Sequence, residues 1–197
     1  MNRFATESTR VEAFSDGVLA VIITIMVLEL RPPLSTDLRS LVPVLPAIAT
    51  YALSFVFIGI YWNNHHHMLR ASRGVDGRAM WANLHLLFWL SLVPFSTAWL
   101  GRNPNAVGPT VLYGAVLLFD GFAYALLQQA LLIVNGRDAP FAKAVAVDLK
   151  GRASLLLYLT AIGVAFVAPL AADAIFVIVA VMWLVPDRRF EPLINLK

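Results

Sequence analysis

The sequence contains no cysteine, which excludes disulfide bonds and thiolate chemistry. Charged residues are also scarce: they make up 14% of the 197 residues, whereas a soluble domain usually carries about a quarter. The net charge of +3 comes without a basic patch laced with aromatic residues, so we expect no nucleic-acid partner. No nucleophile–base pair, carboxylate dyad or zinc-protease motif is present, so we expect no enzyme activity and no cofactor.

Apolar residues fill the chain instead, at 59% of the total. They form long runs separated by short charged clusters, and the runs repeat at the length of about 20 residues that a bilayer-spanning helix needs. The sequence therefore predicts an all-α integral membrane protein with one six-helix domain over residues 1–197. The six predicted helices cover residues 10–30, 41–62, 80–100, 106–134, 154–170 and 174–189.

The distribution of lysine and arginine predicts the orientation of these helices. With six crossings, all but three of the 15 basic residues fall on one side of the membrane; the exceptions are Arg31, Arg39 and Arg102. Positively charged loops stay in the cytoplasm. We therefore expect a multi-pass protein of the cell (inner) membrane with both termini in the cytoplasm.

Polar residues cluster at the predicted cytoplasmic ends of the first three helices. Asp16 follows Ser15 in the first helix, and an unpaired carboxylate there costs several kcal/mol. Partners are available at the same depth in Asn64, His65 and His66 of helix two and in Asn83 and His85 of helix three. One hypothesis is a buried polar network that fixes helix one to helices two and three. The alternative is that the histidines are solvated at the membrane interface.

Three consecutive histidines, at positions 65 to 67, also raise the question of a metal site. Successive helical residues point about 100° apart, so these three cannot bind one ion from one helix face. Chelation would need loop geometry or a ligand from elsewhere, such as His85. We therefore expect no metal here. Asp120, Gln128 and Gln129 in helix four are polar for a lipid-facing helix and indicate subunit contacts.

Helix one carries small residues at Ala13, Gly17, Ala20 and Thr24, with spacings of four, three and four. Such stripes are typical of close helix packing. Val21, Thr24 and Leu28 follow similar spacing on an adjoining face, which is also compatible with a pore lining. Periodicity alone does not separate the two interpretations.

The first hundred residues carry several specific motifs. Helix one opens with Arg10-x-x-x-Phe14-Ser15-Asp16 and Gly17-x-x-Ala20. The segments that follow are Tyr61-Trp62-Asn63-Asn64-His65-His66, Asn83-Leu84 and Ser91-Leu92-Val93-Pro94-Phe95-Ser96-Thr97. Together these segments resemble the transmembrane protein 175 family, whereas helices four to six match it only in hydropathy and count. This family comprises potassium channels of lysosomes and bacteria. Its bacterial members are six-helix units that form homotetramers around a pore lined by helix one.

The resemblance implies a role for each position of helix one. Val21, Leu28 and Ile25 would form narrow apolar layers, and Thr24 would fall at the polar layer linked to potassium preference. Val21 stands where a bulkier Ile or Leu is common. The remaining motif residues would form a structural polar network made of Arg10, Phe14, Ser15, Asp16, Asn64, His65, His66, Asn83 and His85.

These expectations favour a potassium-selective channel, a homotetramer in the lipid bilayer that conducts K⁺ passively. The chain has no Thr-Val-Gly-Tyr-Gly filter and no arginine-repeat voltage sensor, so conduction would rely on hydrophobic constrictions. The alternative is a secondary transporter with proton coupling through Asp16 and the histidines. Transporters commonly show internal repeats and broken helices, and the sequence indicates neither.

Overall fold

The computed structural model describes residues 3–136, 141, 142, 145 and 148–185, and every described element in it is helical. The all-α prediction is therefore confirmed. One segment, Leu38–Val44, is a 3-10 helix that leads directly into α2. The α-helices are α1 (Arg3–Leu28), α2 (Leu45–Ala71), α3 (Gly77–Leu90), α4 (Val93–Arg102), α5 (Val107–Asn135), α6 (Leu149–Ala165) and α7 (Pro169–Leu184).

Among the described residues, four helical segments are long and apolar enough to cross a membrane: Ser8–Leu28, Leu38–Ala71, Gly77–Arg102 and Val107–Asn135. A fifth apolar helix, Pro169–Leu184, is shorter. The first two helices extend beyond their predicted bounds: α1 already begins at Arg3, and α2 continues nine residues past Trp62. The histidines at positions 65 to 67 therefore lie on a helix, and Ser72 ends it with extended backbone dihedrals.

The third predicted helix is not continuous, because α3 ends at Leu90 and α4 begins at Val93. Pro94 explains the interruption. A proline ring has no N–H to donate and clashes with the carbonyl of the residue four positions earlier, which here is Leu90. The break keeps both halves in one apolar segment but lets the direction of the chain change between them.

The fifth and sixth predicted helices are displaced by about five residues. The predicted turn at 171–173 is wrong, because the structure places the turn between Ala165 and Pro169. Proline is favoured in the first turn of a helix, and the alanines that follow are strong helix formers. The last part of the sixth predicted helix, beyond residue 185, lies outside the described residues.

Two apolar clusters hold the helices together. One joins α1 to α5 around residues such as Leu19, Ile58 and Leu86. The other joins α2, α4, α5, α6 and α7 around Phe57, Tyr113 and Phe176. α1 contacts only the first cluster, so it lies at one side of the protomer.

Gly101 brings α4 against the start of α2. A Cβ atom at this position would lie 2.8 Å from the Cα of Ala47, which is backbone and cannot rotate away. We expect Gly101→Ala to destabilise the fold by about 1–3 kcal/mol, the usual cost of overpacking. Gly163→Ala in α6 is the matched control, because a Cβ there meets no atom within 4 Å. Thermal unfolding of both variants in detergent checks this: equal melting temperatures would contradict the close approach of α2 and α4.

Candidate functional site

α1 has one face buried in the protomer and one face that the protomer leaves open. The buried positions are Val11, Ser15, Leu19, Ile22 and Met26, spaced by three or four residues as one side of a helix requires. The opposite side carries the four predicted pore positions. Val21 is 54% exposed, Ile25 46% and Leu28 78%, and Thr24 is exposed as well. We call these four residues the α1 stripe.

The small residues of α1 also lie on its open side. Ala13, Gly17, Ala20 and Thr24 are all exposed, and a Cβ at Gly17 would meet no atom within 4 Å. These residues therefore do not mediate close packing between described helices of the same protomer. The Thr24 hydroxyl donates to the carbonyl of Val21 at 2.9 Å, and its oxygen still has capacity to accept from or coordinate another group.

A groove of about 1030 Å³ runs beside this open face, between α1 and the α3–α4 segment. Phe14, Val21 and Ile25 line one side, and Pro94, Phe95 and Trp99 line the other. The groove ends at an ion pair in which Arg102 donates to Glu29 at 2.6 Å. Both side chains are close to half exposed, so the pair is worth at most about 1 kcal/mol. The pair fixes the end of α1 to the end of α4.

A chain of hydrogen bonds attaches the buried face of α1 to α2 and α3. The amide nitrogen of Asn83 donates to the Ser15 hydroxyl at 2.9 Å, and that hydroxyl donates to the carbonyl of Val11 at 2.8 Å. The amide oxygen of Asn83 lies 2.7 Å from Nε2 of His65. Because that oxygen can only accept, His65 donates from Nε2. All three side chains are buried, and we call them the Ser15–Asn83–His65 chain.

Two acidic residues of α1 lie beside this chain. Glu12 accepts from Nδ1 of His66 at 2.7 Å, and both side chains are partly buried. Asp16 interacts electrostatically with His65, but its Oδ1 has no hydrogen-bond partner among the described residues. The sequence predicted partners for Asp16 and missed the Glu12–His66 pair. Glu12 precedes Asp16 by one turn, so it faces the same neighbouring helix.

The other predicted network residues do not hydrogen-bond to the Ser15–Asn83–His65 chain. Arg10 and Phe14 are exposed. His85 accepts from the indole of Trp89 at 3.0 Å, and that indole stacks on Phe119. Asn64 contributes its backbone carbonyl, which accepts from the Tyr124 hydroxyl at 3.3 Å.

The three consecutive histidines point to different partners, because they lie on a helix. His65 contacts Asn83, His66 contacts Glu12, and His67 donates to the carbonyl of Asn63 at 3.1 Å. Within the described part of the chain, no group of three His, Cys, Asp or Glu residues could hold a metal ion.

A second buried hydrogen-bonded cluster was not predicted from the sequence. Thr97 of α4 donates to the Ser54 hydroxyl of α2 at 2.7 Å, and Ser54 lies 2.9 Å from the Tyr113 hydroxyl of α5. Serine and threonine hydroxyls are common in membrane helices, where they also bond to their own backbone, so sequence alone does not distinguish those that join helices.

Comparison with known proteins gives consistent matches over most of the chain. The family model for the endosomal/lysosomal potassium channel TMEM175 matches residues 10–94, which include the α1 stripe and the Ser15–Asn83–His65 chain. A potassium channel of Chryseobacterium sp. (strain P1-3) is 44% identical over 182 residues, or 92% of this chain and 95% of that protein. A potassium channel of Streptomyces collinus is 35% identical, over 85% of this chain and 87% of that protein.

The fold also matches a solved structure, the crystal structure of a lysosomal potassium-selective channel TMEM175 homologue from Chamaesiphon minutus. The TM-score is 0.80 at 26% sequence identity, over 92% of this chain and 98% of that chain. The similarity therefore extends beyond the residues of the family model to the helices near the C-terminus.

Proposed function

This chain belongs to the TMEM175 family, and we propose that it is a potassium-selective channel of the cell membrane in which four copies surround one central pore. The relatives that support this proposal are named potassium channels, and the solved homologue is described as potassium-selective. They are ion channels and not enzymes, in agreement with the lack of catalytic motifs in this sequence.

The observation that carries the pore proposal is the exposure of the α1 stripe. A helix that is apolar all round is usually buried, either in protein or in lipid. α1 buries one side in its own protomer and leaves Val21, Ile25 and Leu28 open. If four α1 helices meet at a four-fold axis, these side chains face one another, and a closed cyclic assembly covers the open side of each copy.

In this arrangement the pore is narrow and apolar, with one polar layer. Val21 and Leu28 are seven residues apart, or about 10 Å along the helix at 1.5 Å per residue. Thr24 lies between them, so four hydroxyl groups would interrupt the two apolar layers. Hydrophobic rings can gate a channel by excluding water, and a polar layer between them offers oxygen atoms to a partly dehydrated cation.

Six membrane crossings fit this proposal, with α3 and α4 counted as one and with α6 and α7 as a short pair. The basic residues then put both termini in the cytoplasm. The Ser15–Asn83–His65 chain lies on the side of α1 away from the α1 stripe, so it would hold each pore helix at a fixed rotation without contacting the ions.

Recording from purified protein in a planar bilayer tests the proposed activity. A channel gives discrete current steps, and a potassium-selective one gives currents that reverse near the potassium equilibrium potential when K⁺ and Na⁺ gradients oppose each other. The secondary transporter with proton coupling through Asp16 predicts no unitary steps and a reversal potential that moves with the pH gradient.

A further inference from the structure

Asp120 is a fully buried carboxyl group in the middle of α5. Its side chain is 0% exposed, and neither carboxylate oxygen has a hydrogen-bond partner among the described residues. The sequence interpretation of Asp120 and Gln128 as subunit contacts is wrong, because both side chains are buried inside the protomer. Gln129, in contrast, is exposed.

The groups around Asp120 cannot neutralise a carboxylate by their own charge. Those that interact with it electrostatically are Tyr61 of α2, Tyr113 of α5 and Tyr158 of α6, and a tyrosine carries no positive charge in any state. Tyr113 in turn interacts with Asp173 of α7, which is also acidic. An ionised carboxylate at such a position costs several kcal/mol without a cationic partner. The carboxyl group therefore needs a ligand that is positively charged and very small.

A cavity next to this region extends toward one end of the helix bundle. Its volume is about 130 Å³, and it lies between α2, α5 and α6. The exposed Arg152, at the beginning of α6, lines one end. Tyr158, six residues or about 9 Å further along α6, lines the deeper part together with Tyr61 and Gly121, the residue next to Asp120.

The cavity is large enough for water, and its mostly apolar lining includes several polar side chains. At about 30 Å³ per molecule, its volume corresponds to roughly four waters. Gln128 lines it, and its amide nitrogen is buried without a hydrogen-bond partner among the described residues. Tyr61 and Tyr158 line the cavity and interact electrostatically with Asp120, and Gly121, the next residue along α5, lines it too, so the cavity lies close to the carboxyl group.

We propose that Asp120 is a proton-binding site inside each protomer, and that its proton exchanges with solvent through the cavity between α2, α5 and α6. The site lies outside the proposed pore, because Asp120 is buried inside the protomer whereas the α1 stripe is on its exposed side. The opening near Arg152 is at the end of the bundle that the positive-inside rule assigns to the cytoplasm. The exchange partner is therefore the cytoplasmic proton pool.

Infrared spectroscopy of the reconstituted protein tests this proposal directly. A protonated carboxyl group gives a carbonyl stretching band that is separate from the carboxylate bands and moves to lower frequency in D₂O. We expect such a band at neutral pH in the wild-type protein and its loss in Asp120→Asn. Asp173→Asn, which changes another acidic group with an unpartnered oxygen, should keep the band. Identical spectra of the wild-type protein and Asp120→Asn would overturn the proposal.

Three further variants complete the test. If Asp120→Asn does not assemble, Asp120→Glu should shift the band in frequency, and an unshifted band would assign it to another residue.

Ala125→Phe fills the cavity that Ala125 lines, whereas Leu126→Phe changes the exposed side of α5. Ala125→Phe should slow the exchange of the band in D₂O relative to Leu126→Phe. Equal exchange rates would overturn the proposed route. None of these readouts requires ion conduction, so a failure of the channel proposal would appear separately.

Discussion

Replacing Leu28 by alanine should greatly weaken the preference for K⁺ over Na⁺. Leu28 is the most exposed apolar member of the α1 stripe, at 78%, so its truncation removes little packing within the protomer. In the proposed tetramer the same change removes four isobutyl groups from one layer of the pore. A wider and better hydrated ring lets Na⁺ pass with more of its water, and we expect the permeability ratio to fall on the order of tenfold.

Reversal potentials under bi-ionic conditions measure this ratio. Val27→Ala is the matched control, because Val27 is the neighbouring residue, is 45% exposed and lies off the α1 stripe. It should leave the ratio close to that of the wild-type protein. If Leu28→Ala and Val27→Ala behave alike, Leu28 does not line the pathway.

Breaking the Ser15–Asn83–His65 chain should cost more stability than any other polar substitution in the first three helices. Asn83→Ala removes the partner of two buried side chains at once, the Ser15 hydroxyl and Nε2 of His65. Each buried polar group left unpaired costs about 1–3 kcal/mol. His65 loses its partner, while the Ser15 hydroxyl keeps its bond to the Val11 carbonyl. We therefore expect a loss of about 2–4 kcal/mol, a large part of a typical total stability of about 5–15 kcal/mol.

A double-mutant cycle with Ser15→Ala isolates the contact. Because both single variants break the same hydrogen bond, the double variant should lose less than the sum of the two, with a coupling energy of about 0.5–3 kcal/mol. Unfolding in mixed micelles gives these values. Thr160→Ala is the control: Thr160 is exposed, and its hydroxyl donates to the carbonyl of Leu156 in the preceding turn of its own helix. Strict additivity of Ser15→Ala and Asn83→Ala would show that the contact does not stabilise the fold.

The fold was largely predictable, because composition and the lengths of the apolar runs already require membrane helices. The errors in the helix ends have local causes. The interruption at Pro94 follows from proline geometry but looks like an intact apolar run in a hydropathy pattern. The residues after Trp62 are polar and lie beyond the predicted apolar span of helix two, yet the helix continues through them, and His65 and His66 find partners on α3 and α1.

The faces of α1 could not be assigned by periodicity. Its buried side carries Leu19, Ile22 and Met26, and its open side carries Val21, Ile25 and Leu28, so both sides are aliphatic. Only Ser15 marks the buried side by polarity. The assignment of the α1 stripe therefore came from the resemblance to a family, and the exposure of these residues in the protomer is consistent with it.

The environment of Asp120 could not be predicted from the sequence either. The tyrosines that surround it come from α2, α5 and α6, at positions 61, 113 and 158. No local pattern links residues so distant in the chain. The sequence does not show which helices pack against one another, so the burial of Asp120 inside one protomer follows only from the structure.

Cysteine modification of the conducting protein tests the lining of the pore most directly. The natural chain has no cysteine, so a single introduced thiol is the sole target of a water-soluble cationic methanethiosulfonate reagent. We predict that Leu28→Cys channels lose their potassium current after treatment. Met26→Cys channels should keep theirs, because that thiol lies on the buried face of α1. Block at position 26 without any effect at position 28 would contradict a pore lined by the open face of α1.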